Sequence, residues 1–233
     1  MATSGTIGNT KVSTAKFIEK AIRRCGLSPA SITAETNDIA REDLFMLIMS
    51  LSSRGLNLWC IDVKEIPLVA GQATYVLPTG TIDVLNLLLA TPVGDGTFSE
   101  IPVMPINRDD FANLPRKSTQ SAVPVNYYFE KLVEPQITLW PVPNDDTKHL
   151  NLYRYRQIQD VGDLTDELEL PARWLEAVCW QLALRLAFEL PNVSADRVTL
   201  VKQMADSMVI EADGNETDGA PVYFAPGIGV YTR

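Results

Sequence analysis

The sequence predicts an α+β protein: N- and C-terminal helices form a bundle, a β-rich domain is inserted between them, and an extended C-terminal arm follows. Three observations support this prediction. Apolar residues recur at steps of three and four near both ends of the chain, which is the spacing of amphipathic helices. Between Trp59 and Glu169 the period falls to two, which is typical of strands. A run rich in glycine and proline then follows residue 213.

Two helices are predicted in the N-terminal segment, residues 1–58. The first covers "STAKFIEKAIRR", with Ser13 and Thr14 available as caps and Gly26 ending it. The second lies in "NDIAREDLFMLIMSLSSRG", which has an acidic start, a continuous apolar band and Gly55 as its C-terminal signal. We expect both helices to join the bundle.

The β-rich domain is assigned to residues 59–165. Strand-like segments are separated by turn residues, "GDG" among them, and "NRDDFANLP" interrupts them with a short helix. The clearest pattern is "ITLWPVPNDDTKHLNLYRYRQ", in which two alternating runs flank an acidic turn. It predicts a hairpin whose tip is formed by Asn144, Asp145 and Asp146.

Alternation assigns the side chains of this hairpin to two faces. The side chains expected to point inward are Ile137, Leu139, Leu150 and Leu152. Those expected to face away are Thr138, Asn151 and Arg154.

Two further helices are predicted in residues 166–213. "ELPARWLEAVCWQLALRLAFELP" begins at Pro171 and is apolar over so much of its circumference that we expect it to be buried on two sides. "SADRVTLVKQMADSMVIEA" is amphipathic and is expected to pack on it. Because neither pair of helices has a large core of its own, helices from the two chain ends are expected to pack together.

The last segment, residues 214–233, has too much glycine and proline for a helix but is too apolar for an ordinary disordered terminus. Two interpretations remain open. The segment lies across the protein's own surface, or it is a docking arm that becomes ordered on a partner, with its aromatic side chains as anchors.

Composition argues against several classes of function. Twenty Lys and Arg against 29 Asp and Glu give a net charge of −9, which is unsuited to tight, sequence-specific DNA binding. Three cysteines without a short spacing indicate core residues in a reducing compartment. We expect neither a secretion signal nor a membrane span, and therefore synthesis in the cytoplasm.

The sequence contains little that suggests catalysis. His149 is the only histidine, and no glycine-rich nucleotide-binding motif occurs. The acidic groups at 144–146 and 163–169 could hold a cation or act as an acid and base, but a turn and a helix start explain them better. We therefore predict no catalytic residue, no metal, no cofactor and no enzyme activity.

The order of several motifs between Ala40 and Glu189 carries a family likeness. "LNLW" is followed by "VAGQATYVLPTGTIDVLNLLL", and then by a strand, "PVP", an acidic turn, "YRYR", "LTD", and "ELP" opening a long helix. This order of motifs resembles that of the head-to-tail adaptor proteins of short-tailed bacteriophages. The related tail tubular proteins belong to the same group.

The resemblance implies a structural virion protein at the head–tail junction. Such adaptors form a dodecameric ring beneath the portal protein once the head is filled with DNA. The ring extends the DNA channel without sequence-specific contacts, helps to retain the packaged genome, and is the platform for the next tail component, a hub or nozzle protein.

The resemblance also suggests roles for three groups of residues. The portal-binding arm would comprise Val222, Tyr223, Phe224, Ile228, Val230, Tyr231 and Arg233. The helix face between neighbouring subunits would comprise Trp174, Trp180, Leu184 and Phe188. The contact with the tail component would be made by the hairpin tip, Asn144, Asp145 and Asp146.

Two alternatives remain open. A tail-tube or other tail ring protein would assemble by itself without the portal. A virion-associated hydrolase using Asp and Glu residues would lose turnover when one acidic pair is mutated.

Overall fold

The computed structural model of the protein describes residues 12–28, 33–54 and 58–215. Within these residues it contains five α-helices and ten β-strands, which confirms the predicted α+β class. The predicted C-terminal arm begins two residues too early, because α5 continues to Gly214 and Asn215 is its C-cap, and the rest of the arm lies outside the described residues.

The chain divides into two compact units. The strand unit comprises Met1–Lys16 and Thr33–Glu169, and the helix unit comprises Phe17–Ile32 and Leu170–Arg233. Sequence analysis places the second helix with the other bundle helices, whereas this division groups it with the strands. The predicted four-segment domain organisation stays a prediction.

The helix unit is built from α1 (Thr14–Arg24) from Phe17 onward, α4 (Ala172–Glu189) and α5 (Ala195–Gly214). Ser194 caps α5 by accepting a hydrogen bond from the backbone N–H of Arg197. The buried side chains of α4 are distributed over most of its circumference: Trp174, Ala177, Val178, Cys179, Leu182, Ala183, Leu186 and Ala187. The predicted helices at both chain ends are therefore confirmed.

Polar contacts connect α1 with the two C-terminal helices inside the helix unit. The Arg24 guanidinium bonds to the carboxylate of Glu176. The backbone carbonyl of Arg24 accepts a hydrogen bond from Nε of Arg197 at 2.8 Å. Arg24 also lies 4.2 Å from the ring centre of Trp180, which is a cation–π contact.

The strand unit contains α2 (Ala34–Arg54), α3 (Arg108–Asn113) and all ten strands. The strands are β1 (Ile61–Pro67), β2 (Thr74–Val76), β3 (Thr81–Gly94), β4 (Thr97–Pro102), β5 (Met104–Ile106), β6 (Gln120–Ser121), β7 (Asn126–Glu130), β8 (Gln136–Trp140), β9 (Val142–Pro143) and β10 (His149–Arg156). Sheet A has the order β1-β10-β3-β4, sheet B the order β2-β8-β7-β5, and β6 pairs with β9.

Sheets A and B share one hydrophobic core. Inward-facing residues of sheet A, such as Leu89 and Leu152, belong to the same buried cluster as Tyr127 and Leu139 of sheet B. The arrangement is a two-layer packing of sheets, stabilised by burial of apolar surface between them.

The predicted hairpin between β8 and β10 is wrong. β8 pairs with β2 and β7 in sheet B, whereas β10 pairs with β1 and β3 in sheet A. The segment 141–148 therefore crosses from one sheet to the other. The alternation of apolar and polar residues indicates which face of a strand is buried. It does not indicate which strand lies beside it, because strands pair through backbone groups that every residue has.

The inward positions of the two strands are as predicted, with one exception. Ile137, Leu139, Leu150 and Leu152 are buried. Arg154, expected to face away, is only 5 % exposed. Because position 154 has the same parity as positions 150 and 152, strict alternation already places it on their face.

Candidate assembly site

A polar network surrounds Arg154 at the end of β10. Its Nε and Nη2 donate to the two carboxylate oxygens of Asp62 at 2.7 and 3.1 Å. Its Nη1 donates to Oγ1 of Thr81 at 2.8 Å and to the carbonyl oxygen of Pro78 at 3.0 Å. The hydrogen bond from Arg154 holds the pKa of Asp62 below its usual value. Arg154 thus ties β1, β3 and β10 together.

The next arginine on β10 extends this network. The Arg156 guanidinium bonds to both carboxylate oxygens of Glu169, and one of them also accepts from the backbone N–H of Gln159 at 2.9 Å. Burial raises the pKa of Glu169, but these hydrogen bonds outweigh it and the net pKa is lowered. A cavity of about 440 Å³ borders the two arginines. Since their guanidinium groups already bond protein acceptors, the network holds the fold together rather than forming an anion site.

The tyrosine between the two arginines anchors α2. The Tyr155 hydroxyl donates to the backbone carbonyl of Ser52 at 2.9 Å, and Oγ of Ser52 accepts from the backbone N–H of Ile158 at 3.2 Å. The "YRYR" motif is therefore the point where β10, β1 and α2 are joined within the strand unit.

The acidic turn at 144–146 is stabilised from inside. Oδ1 of Asp145 accepts from the backbone N–H and the hydroxyl of Thr147 at 3.0 and 2.7 Å, and Oδ2 lies 3.2 Å from Nζ of Lys148. These bonds, the backbone N–H of Thr147 first, lower the pKa of Asp145 to about 2. Asn144 and Asp146 are exposed. Of the three predicted contact residues, these two present their side chains to the surface.

Replacing Asp145 by asparagine is expected to lower the urea midpoint of unfolding at pH 7, since the neutral side chain pairs weakly with Lys148. Because the pKa of Asp145 is depressed, its contribution is present above the unfolded value of about 4 and is lost as pH falls towards about 2. The difference in midpoint between wild type and variant should therefore shrink over that range. A constant difference down to pH 2 would contradict this assignment.

The predicted inter-subunit face of α4 is only partly available at the surface. Trp174 is 2 % exposed and belongs to the chain's own core, whereas Phe188 is 73 % exposed. Trp180 and Leu184 are half-buried. The ring nitrogen of Trp180 donates to Glu176 at 3.0 Å.

Two loops carry exposed apolar side chains that sequence analysis did not single out. The predicted "GDG" turn joins β3 to β4 through left-handed residues at Gly94, Asp95 and Gly96, and beside it Val93 and Phe98 are exposed. The loop between β7 and β8 exposes Leu132 and Val133. The apolar residues beside the "GDG" turn are the sequence signal for an exposed hairpin at this position. The sequence pattern instead predicts the hairpin between β8 and β10.

The remaining predictions concern the C-terminal arm, metal ligands and membrane spans. The residues proposed for the arm, Val222 to Arg233, lie outside the described residues. Within residues 12–28, 33–54 and 58–215, no group of three or more His, Cys, Asp or Glu side chains could hold a metal ion. In the same part of the chain, no helix combines the length and apolarity needed to cross a membrane.

Exposed apolar side chains at two loops, and arginines that bond the protein's own acceptors, favour a surface that contacts other proteins over a ligand-binding site. The sequence matches the model of the SU10 adaptor protein family over residues 30–224. The chain belongs to this family, which confirms the resemblance to phage head-to-tail adaptors.

Two solved structures are similar to this chain. One is a chain of the neck of an empty gene transfer agent particle, 14% identical, with a TM-score of 0.29. The other is a chain of the virion of a native gene transfer agent particle, 17% identical, with a TM-score of 0.27. In both cases the match covers 87% of this chain and 93% of the other. At these TM-scores the matches do not establish a shared fold. A search of curated proteins found no match.

Proposed function

We propose that this adaptor is made in the host cytoplasm and forms a dodecameric ring beneath the portal at the head–tail junction. The ring extends the DNA channel, helps to retain packaged DNA, and provides the docking platform for the next tail component. The observation that supports this proposal is the family match over residues 30–224. An acidic chain suits a channel through which DNA passes without being gripped.

The helix unit supplies one part of the proposed contact between neighbouring subunits. Phe188 at the end of α4 is 73 % exposed, as is Ile210 on α5. Large apolar side chains in such positions gain free energy when a neighbour covers them. With Trp174 buried in its own chain, the proposed face is reduced to Trp180, Leu184 and Phe188.

Contacts along the ring axis are assigned to two other segments. The arm with Tyr223, Phe224 and Tyr231 is proposed to bind the portal, because its composition suits aromatic anchoring. The acidic turn is proposed to bind the tail hub or nozzle through Asn144 and Asp146. Asp145 is left to stabilise the turn itself.

Native mass spectrometry tests the ring and the arm together. The purified chain, mixed with the matching portal ring, is expected to add a dodecamer to the portal, and a version ending at Gly219 is expected to bind at least about tenfold more weakly, since it lacks the aromatic anchors. A double variant, Tyr223→Ala with Phe224→Ala, tests the aromatic anchors directly. Its matched control is Thr217→Ala with Asp218→Ala. Only the variant without the aromatic side chains should weaken binding.

Rings that form readily without the portal and never bind it would overturn the proposal in favour of a tail-tube protein. In the same assay, Asn144→Ala combined with Asp146→Ala should leave the portal-bound ring intact and abolish attachment of the tail component. Full attachment by this variant would remove the acidic turn from the proposed contacts.

A further inference from the structure

Sheet A has two open edges. β1 lies at one edge and β4 at the other, and among the described residues no strand pairs with the outer side of either. Such edges present unpaired backbone N–H and C=O groups, which another strand can satisfy.

The directions and lengths of the two edge strands match. Each neighbouring pair in sheet A is antiparallel, so β1 and β4 run in opposite directions across its four strands. When a second copy is placed beside the first by simple repetition, its β1 lies antiparallel to β4, like every other pair in the sheet. β1 has seven residues and β4 has six.

Each edge strand also exposes an apolar side chain on the face away from the core. Lys64 and Ile66 of β1 pair with the inward residues Leu152 and Leu150, so Val63 points to the outer face, where it is 48 % exposed. Phe98 of β4 is 51 % exposed and touches His149 edge to face at 4.7 Å on the same outer face.

The first half of β4 also lacks support from its own sheet. Pairing between β10 and β3 stops at Ala90, so the residues 91–94 and 97–99 continue as a two-stranded ribbon. A two-stranded ribbon is marginally stable in water, and a third strand along its free side would stabilise it.

We propose that β4 of one copy pairs with β1 of the next copy, so that sheet A continues from subunit to subunit. This inference rests on the proposed ring, which supplies the second copy. Aligning Phe98 with Val63 places residues 97–100 opposite residues 61–64 of the neighbour, covers both apolar side chains and keeps Glu100 away from the neighbour's Glu65. The charges at Lys64, Glu65 and Glu100 restrain pairing with unrelated edges.

Disulfide trapping tests the pairing. Within one chain, β1 and β4 are separated by two strands, about 14 Å at the usual spacing, whereas a disulfide requires Cα atoms within about 7 Å. A link between cysteines at positions 63 and 98 must therefore join two copies. The native cysteines do not compete, because burial raises the pKa of Cys25 and Cys179 to about 11 and Cys60 is fully buried.

The full chain carrying Val63→Cys with Phe98→Cys is assembled on the portal, confirmed as a ring by native mass spectrometry, and oxidised. Val63→Cys with Glu100→Cys samples the adjacent register. We expect a ladder of covalent multimers in one of these variants, on the order of tenfold above the control Val76→Cys with Phe98→Cys, since a formed interface holds the thiols at mM effective concentration.

A ring in which neither variant links above the control overturns the inference and leaves the proposed function standing. Equally strong linking by Phe98→Cys alone overturns it too, because it shows two β4 edges meeting. If no ring forms with wild-type chain and portal, the proposed function fails first, and the inference fails with it.

Discussion

Replacing Arg154 by alanine is expected to lower the free energy of unfolding of the strand unit by about 3 kcal/mol, the lower end of the cost of breaking a buried ion pair. Without the guanidinium, Asp62 and Oγ1 of Thr81 lose their donor. Asp62 retains some contact with water, which limits the cost. Urea unfolding followed by circular dichroism measures the change.

The matched control is Lys131→Ala, which breaks the exposed ion pair with Asp83 in the same unit. Such pairs contribute at most about 1 kcal/mol. Arg154→Lys should recover only part of the loss, because an ammonium group cannot bond to both oxygens of Asp62 in the fork geometry. Equal stability of Arg154→Ala and Lys131→Ala would contradict the structural role of the network.

This contribution also depends on pH in a defined direction. Since the hydrogen bond from Arg154 depresses the pKa of Asp62, the stabilisation is present above about pH 4 and declines as pH falls through the folded-state value. The stability difference between wild type and Arg154→Ala should therefore narrow in acid.

Replacing Leu152 by alanine is expected to cost about 3–4 kcal/mol of unfolding free energy, because the side chain is fully buried in the core shared by the two sheets and its removal leaves a cavity. The strand unit should still unfold in one transition, at a lower urea concentration. Unfolding monitored by tryptophan fluorescence and by circular dichroism measures both properties.

The matched control is Leu132→Ala, the same substitution at a side chain that is 58 % exposed in the β7–β8 loop. Its effect should stay within about 0.5 kcal/mol. If the two variants were equally stable, Leu152 would not be part of a packed core. Combining Leu152→Ala with Leu139→Ala should give a non-additive loss, as expected for residues of one cluster on different sheets.

The helices could be predicted from the sequence because their signals are local. The spacing of apolar residues and an ending glycine at position 26 lie within a few residues of the helix they define. The short helix α3 was recognised in the same way, and Asn107 caps it by accepting a hydrogen bond from the backbone N–H of Asp110.

The candidate site was only partly predictable. The acidic turn was recognised because Asp145 bonds two residues along the chain. The exposed Phe98 and Val133 were missed, since their exposure depends on which strands pair and where a ribbon extends beyond its sheet. The same limit applies to α4, where apolar positions alone could not separate Trp174 in the core from Phe188 at the surface.

The sequence by itself determined the α+β class, the helices, the inward side of most strand residues and the adaptor family, because periodicity, capping and motif order are written in neighbouring residues. Only the tertiary structure decided that β8 and β10 belong to different sheets and that Arg154 is buried against Asp62, 92 positions earlier in the chain. Alternation specifies a face, whereas the partner of a strand or of a buried charge depends on contacts between distant segments.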